Sequence, residues 1–212
     1  MNQELPGLQG NCGVHPAGNQ GLAGGRPAEQ EFQYFAPPPY PAVRVTACNR
    51  AYADAMLVNL GSCDSEMTAV SRYLYDDLIL KEQWPRASEC FRKISMVEMH
   101  HLHIFGELAY QLGADPRLWC AAGRRMNYWS PRCNPYPRDP WEILTVALAG
   151  EEQTIRQYRQ QAGWIRDTCV VENLERIILD EECHVRIFQS LIQELEGSAA
   201  DSGVNQRPQS RR

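Results

Sequence analysis

Four stretches of the chain place apolar residues at helical spacing, and none shows the sustained alternation of a strand. The first runs from about Thr46 to Lys81, with a stripe of Leu57, Leu60, Met67, Val70, Leu74 and Leu78. The second runs from about Pro85 to Leu112 along Ile94, Val97, Leu102, Phe105, Leu108 and Leu112. Pro85 suits a first helical turn and Gly113 a stop. The third opens at Asp139-Pro140-Trp141-Glu142, an acidic cap with proline behind it, and reaches about Ala162 before Gly163. The fourth starts near Asp167, follows Leu174, Ile177, Ile178, Val185, Phe188, Leu191 and Ile192, and is expected to end at Gly197.

The connections set the arrangement. Short links around Trp84 and Gly163 make the helices of each pair antiparallel neighbours. The link from Gly113 to Arg138 contains Pro116, Pro131, Pro135 and Pro137. Extended, it reaches about 85 Å. A helix of this size is about 38 Å long. The link can therefore cross the whole bundle. The expectation is an all-α four-helix bundle over 43–196, made of two hairpins joined by one long crossover. Residues 1–42, rich in Gly, Pro, Gln and Asn, read as a flexible arm with a polyproline end, and 197–212 as a disordered tail. The arm is either a plain tail or a docking element for a partner or shell.

Composition narrows the function. The 212 residues are 43% apolar and 22% charged, with a formal net charge of −5. No basic footprint points to nucleic acid or an anionic membrane. No run is long enough for a transmembrane helix, and no signal peptide is seen. The eight cysteines form no C-x-x-C pair, so no zinc ribbon or rubredoxin site is read from them. A cytoplasmic protein with mostly free thiols is expected.

The candidate chemistry lies on the apolar stripes. Glu98-x-x-His101 on the second helix and Glu181-x-x-His184 on the fourth each put a carboxylate and an imidazole on one face. With 17 Glu and 5 His, about 0.4 such pairs arise by chance, so the two matches count mainly because both fall on buried stripes. Glu66 and Glu151 sit on the corresponding stripes of the other two helices, with Glu152 the alternative to Glu151 if the phase shifts by one. A lone carboxylate in such a core costs several kcal/mol, roughly. Four carboxylates and two imidazoles can instead balance two dications, and this donor set suits iron or manganese.

At these residues the chain resembles the ferritin-like superfamily, particularly the bacterioferritin and rubrerythrin branch, over about Ala51 to Leu195. Ser65-Glu66-Met67-Thr68-Ala69-Val70-Ser71-Arg72-Tyr73 looks like the family's first ligand helix. The resemblance implies Glu98 and Glu181 as bridging ligands, Glu66 and Glu151 as terminal ones, and one metal on each of His101 and His184. It places Tyr73 beside a di-iron centre as a candidate catalytic residue. It implies two iron ions, with two manganese ions as the alternative, and O2, hydrogen peroxide and Fe(II) as partners. A homo-oligomer, at least a dimer, is also implied. The chain lacks a rubredoxin-like domain, and Thr154 stands where rubrerythrins carry a further glutamate. Met99 matches the haem methionine of bacterioferritins in position, but packing is the simpler role and haem is not expected. The competing readings are a di-manganese catalase, a non-catalytic coat or shell component, and a buried network of Glu–His pairs. Cys63 and Cys183 are expected as small buried residues, His100 and His103 as surface residues, and Trp119, Tyr128 and Trp129 as cover for the bundle.

Overall fold

The structure is a computed structural model that describes residues 31–122 and 125–201. From Phe32 onward it is a four-helix bundle whose first helix is broken in two. Helices α1 (Arg50–Gly61) and α2 (Glu66–Leu80) both pack on α3 (Pro85–Gln111), and α4 (Pro140–Trp164) packs on α5 (Thr168–Asp201). The long crossover joins α3 to α4, as expected.

The break in the first helix is a correction to the continuous Thr46–Lys81 reading. Gly61-Ser62-Cys63-Asp64-Ser65 is a run of small, turn-forming residues. Ser65 caps the new helix from an extended backbone, and its hydroxyl donates to the Ser62 carbonyl at 2.6 Å. The restart rotates α2, so Leu74 and Leu78 lie 58% and 61% exposed, not on the core stripe. Tyr73, Asp76 and Leu80 face inward instead. Glu66 becomes the first residue of α2, where the helix dipole favours an acid.

The start of α4 and the stop of α3 follow the expected chemistry, whereas α4 runs through Gly163 to Trp164. Asp139 accepts from the backbone N–H groups of Trp141 and Glu142, with Pro140 at the first helical position. Gly113 follows α3 with φ of 98°, a left-handed conformation that glycine adopts without strain. Gly197 does not stop α5, which continues to Asp201. A helical glycine costs only about 1 kcal/mol. Of the expected tail, residues 202–212 lie outside the described residues.

The crossover holds a small antiparallel hairpin, β1 (Trp119–Ala122) with β2 (Arg125–Tyr128), which the sequence reading did not anticipate. Four residues per strand are too few for a period-2 signal. Trp119 packs against the core, Tyr128 is exposed, and the Trp129 indole donates to Thr68 Oγ1 at 2.9 Å. A disulfide joins Cys63, exposed in the α1–α2 turn, to Cys133 in the crossover. This corrects the reading of Cys63 as a small buried residue, because partners 70 positions apart leave no local pattern. Cys48, Cys90, Cys120, Cys169 and Cys183 are free.

The arm reading also needs correction. Residues 1–30 lie outside the described residues, but 32–42 are seated along the bundle. Ala36 is buried, Phe32 and Tyr34 pack against one core cluster, and Tyr40 packs against the other. Average composition hid these aromatic anchors. Pro37-Pro38-Pro39 needs no partner for backbone N–H groups, so it can lie extended against protein without a ladder.

The core forms two apolar halves. One joins α1 to the C-terminal part of α3 and the first turns of α5. The other joins α2 to the N-terminal part of α3, the start of α4 and Ile187, Phe188 and Leu191 of α5. Between them every bundle helix contributes a charged residue. No helix among the described residues is long and apolar enough to cross a membrane.

Candidate metal centre

The six residues expected from the sequence meet in this middle layer. Glu66 comes from α2, Glu98 and His101 from α3, Glu151 from α4, and Glu181 and His184 from α5. All six are buried. They form two overlapping groups, Glu66–Glu98–His101–Glu181 and Glu98–Glu151–Glu181–His184, each with ligand-type atoms within 4.8 Å of one another. Glu151 is buried and Glu152 exposed, which answers the question of phase.

Glu98 and Glu181 lie between the two imidazoles. His101 Nδ1 is 3.0 Å from Glu98 Oε2 and 3.2 Å from Glu181 Oε1. His184 Nδ1 is 2.9 Å from Glu98 Oε1 and 3.1 Å from Glu181 Oε2. Glu66 approaches His101 Nδ1 at 3.9 Å, and Glu151 approaches His184 Nδ1 at the same distance. The two halves therefore repeat one pattern about the Glu98–Glu181 pair.

This arrangement fits cations better than protons. Each Nδ1 faces three carboxylates but carries at most one hydrogen. Glu98 Oε1 and Glu181 Oε1, though close to imidazole nitrogens, are buried without a hydrogen-bond partner. A divalent ion held by several oxygens and one nitrogen leaves no such orphan. The six side chains can thus hold two cations.

The electrostatics agree. Burial, then Glu98 and Glu181, push Glu66 well above the carboxylate range. Burial, then Glu181 and Glu98, do the same to Glu151. Burial also opposes ionisation of Glu98, but His184 and His101 outweigh it and hold this carboxyl below its usual range. Glu181 is likewise lowered, against burial and Glu98, by its contacts with His101 and His184. Burial disfavours both imidazolium ions, yet Asp180, Glu181 and Glu98 raise His101, and Glu98, Glu151 and Glu181 raise His184. Protons are thus drawn toward the two imidazoles and toward Glu66 and Glu151, and away from Glu98 and Glu181. Cation binding must displace those protons.

Two buried tyrosines cross-link the halves. Tyr73 of α2 donates to Glu151 of α4, and Tyr158 of α4 donates to Glu66 of α2. Arg72 donates to the Tyr73 hydroxyl at 3.2 Å and lies beside Gly150. A Cβ at Gly150 would stand 2.8 Å from an Arg72 terminal nitrogen, so glycine makes room for the guanidinium. Between α2 and α4 a cavity of about 230 Å³ reaches the layer, lined by Glu66, Tyr73, Glu98, Glu151 and Glu181 inside and by Cys63 and Asp64 further out.

Several contributors escaped the sequence reading. Asp180 is fully buried and accepts from His101 Nε2 at 3.1 Å, and the Tyr34 carbonyl accepts from His184 Nε2 at 2.9 Å. Arg72, Tyr40 and Arg176 were also missed. The i,i+4 pair Arg176–Asp180, set within the apolar stripe beside Glu181, was the available signal. His100 and His103 are both exposed, as expected; His103 lies 3.8 Å from Glu107 and His100 packs edge-to-face with the Tyr40 ring. Cys183 is buried, and Met99 is exposed outside the layer.

No protein-family model matches the chain, and no curated protein matches it. Solved structures do. A manganese catalase, KatB, from Anabaena PCC7120 superposes with a TM-score of 0.66 at 18% identity, covering 78% of this chain and 81% of its own. Wild-type KatB, also from Anabaena, gives 0.68 at 16% identity, covering 85% and 87%. A bacterioferritin of Rhodobacter capsulatus, described with a metal-free dinuclear site and haem iron, gives 0.59 at 23% identity, covering 78% and 99%. The fold of this chain is thus the ferritin-like four-helix bundle.

Proposed function

We propose that the chain is a di-metal oxidoreductase acting on hydrogen peroxide or O2, with Glu66, Glu98, His101, Glu151, Glu181 and His184 holding two iron ions. The observation that carries this reading is the pair of inward Nδ1 atoms, each facing three carboxylates across a shared Glu98–Glu181 pair. Glu98 and Glu181, common to both groups, would be shared by the two ions, and Glu66 and Glu151 would each hold one. When bound, the ions supply two one-electron changes per cycle, either reducing O2 to peroxide with two protons or splitting two peroxides into two waters and O2.

The chain's own residues position and protect. The apolar halves above and below the layer exclude bulk water and strengthen every charge interaction inside it. The cavity between α2 and α4 admits a small oxidant to the carboxylate side. Tyr73 lines that cavity while holding Glu151, so its hydroxyl can pass a proton between cavity and ligand. Tyr158 holds Glu66 and does not line the cavity. A homodimer fits the exposed Leu74 and Leu78, one helical turn apart on α2.

A second reading, a di-manganese catalase, is favoured by the likeness to KatB. Elemental analysis of protein purified from its native host distinguishes the ions. Fe(II) oxidation with O2 uptake supports the first reading, and O2 release from peroxide by manganese-loaded protein supports the second. Two metals per chain in the wild type and none in Glu98→Ala are expected. Absence of bound metal, with Glu98→Ala matching wild type in both assays, would overturn both readings.

A further inference from the structure

We propose that residues 34–40 clamp the two histidines, fixing each with Nε2–H outward and Nδ1 inward, and so set how tightly cations are held. The proposal rests on the di-metal reading above, and deepens it by assigning metal retention to an N-terminal segment that lies outside the four helices.

The argument begins with what can donate. The Tyr34 carbonyl only accepts, and it lies 2.9 Å from His184 Nε2. That nitrogen therefore carries the hydrogen, and a neutral His184 turns a lone pair at Nδ1 toward Glu98 and Glu181. His101 Nε2 lies 3.1 Å from Asp180 Oδ2. Asp180 is surrounded, accepting the Ala36 N–H at 2.6 Å and the Tyr40 hydroxyl at 2.5 Å and forming an ion pair with Arg176 at 2.6 Å. Asp180 accepts from His101 Nε2 as well, at 3.1 Å, which again turns Nδ1 inward.

Residues 36–40 are locked to the same carboxylate from the other side. Arg176 donates to the Pro38 carbonyl at 2.6 Å and to the Ala36 carbonyl at 2.9 Å, and its guanidinium lies 4.0 Å over the Tyr40 ring. Pro37, Pro38 and Pro39 have fixed φ and no N–H to satisfy. The Ala36 N–H and Tyr40 hydroxyl are therefore pre-placed on Asp180 at little entropic cost. A carboxylate or carbonyl behind a ligating imidazole is the arrangement that orients metal-bound histidines. Here two elements of one short segment complete it for both, through a side-chain relay at His101 and through the backbone at His184.

That asymmetry gives the test. Full-length wild type, Tyr40→Phe and Asp180→Asn are titrated with Mn(II), and release into a chelator is followed. Wild type is expected to bind two ions and release them with similar rates. Asp180→Asn, whose amide can donate to Nε2 and reverse the tautomer, is expected to weaken one of the two ions by about 10–100-fold and make release biphasic. Tyr40→Phe is expected to do the same to a smaller extent, with no more than the small fall in melting temperature that one lost hydrogen bond brings to the cation-free protein. In Co(II)-loaded wild type, two shifted exchangeable Nε2–H resonances are expected, and Asp180→Asn should lose one. Two equal sites with wild-type affinity in both variants would overturn the clamp while leaving the di-metal reading intact. Equal weakening of both ions with a fall in melting temperature would also overturn it, because a merely structural segment does that. A wild type that binds no second ion sinks the di-metal reading and the clamp with it.

Discussion

On the histidine side of the buried layer, residues 34–40 lie behind both imidazoles, supplying the outer partner of His184 directly and bracing Asp180, the outer partner of His101. On the carboxylate side, α2 and α4 stand apart around a cavity that touches Glu66, Glu98, Glu151 and Glu181. The two sides divide the work. A side chain held from behind keeps its geometry, whereas a carboxylate beside open space has room to move. Positioning comes from the closed side and access from the open one. The ties differ in the same sense. The closed side is held by hydrogen bonds and an ion pair, and the outer end of the cavity is pinned by the Cys63–Cys133 disulfide.

The comparison can be broken at its centre. Glu98→Ala removes a carboxylate that faces both histidines, so both cations should be lost together, and stoichiometry measured by elemental analysis should fall from two to none. If one ion survives at full occupancy, the two sides do not share a bridge.

The next effect belongs to the open side. Closing a loop of 70 residues restricts the unfolded chain. That corresponds to about 4 kcal/mol in the chain-entropy account. Cys63→Ser should lower stability by an amount of this order in denaturant titrations, with little change in the affinity for two ions. The same substitution in reductant should have no further effect.

A pH effect follows on the same side. Asp76, one turn beyond Arg72 on α2, is fully buried and finds no hydrogen-bond partner, and burial pushes its carboxyl up to about 7 against the pull of Arg72. The folded state therefore binds this proton more tightly than the unfolded state. Its contribution is present at low pH and fades as pH rises from about 4 toward 7, at no more than about 1.4 kcal/mol per pH unit. Asp76→Asn should flatten that decline and make the protein more stable than wild type at pH 8. An unchanged pH profile would remove Asp76 from the account.

The smallest effects separate the two tyrosines. Tyr73→Phe and Tyr158→Phe each remove one hydrogen bond to a glutamate, about 1 kcal/mol of stability. Only Tyr73 also faces the cavity, so peroxide consumption should slow several-fold in Tyr73→Phe and little in Tyr158→Phe. Equal rates would mean that the open side needs no hydroxyl.

Much of this molecule is written in its pattern of residues. Helical periodicity, the Asp139-Pro140 cap, the Gly113 stop and the two Glu-x-x-His pairs are local signals, each set by residues within one or two turns. They sufficed for the four-helix plan, the long crossover and all six members of the central layer, because a charged side chain on an apolar stripe must find a partner inside the bundle. The Gly61-to-Ser65 turn was equally local but was read through, since the stripes on either side are both helical and only their phase differs.

What the chain alone could not disclose depends on contacts between distant segments. The seat of residues 32–42, the Cys63–Cys133 bond, the place of Arg72 beside Gly150 and the outer partners of the histidines each join positions far apart in sequence. Composition averages over such segments, and a proline-rich stretch with three aromatic anchors scores like a tail until a surface exists to receive it. The sequence by itself determined which groups must be buried together, because burial of charge is too costly to be left unpaired. Only the tertiary structure decided what stands behind and in front of them, because that is a matter of which surfaces meet.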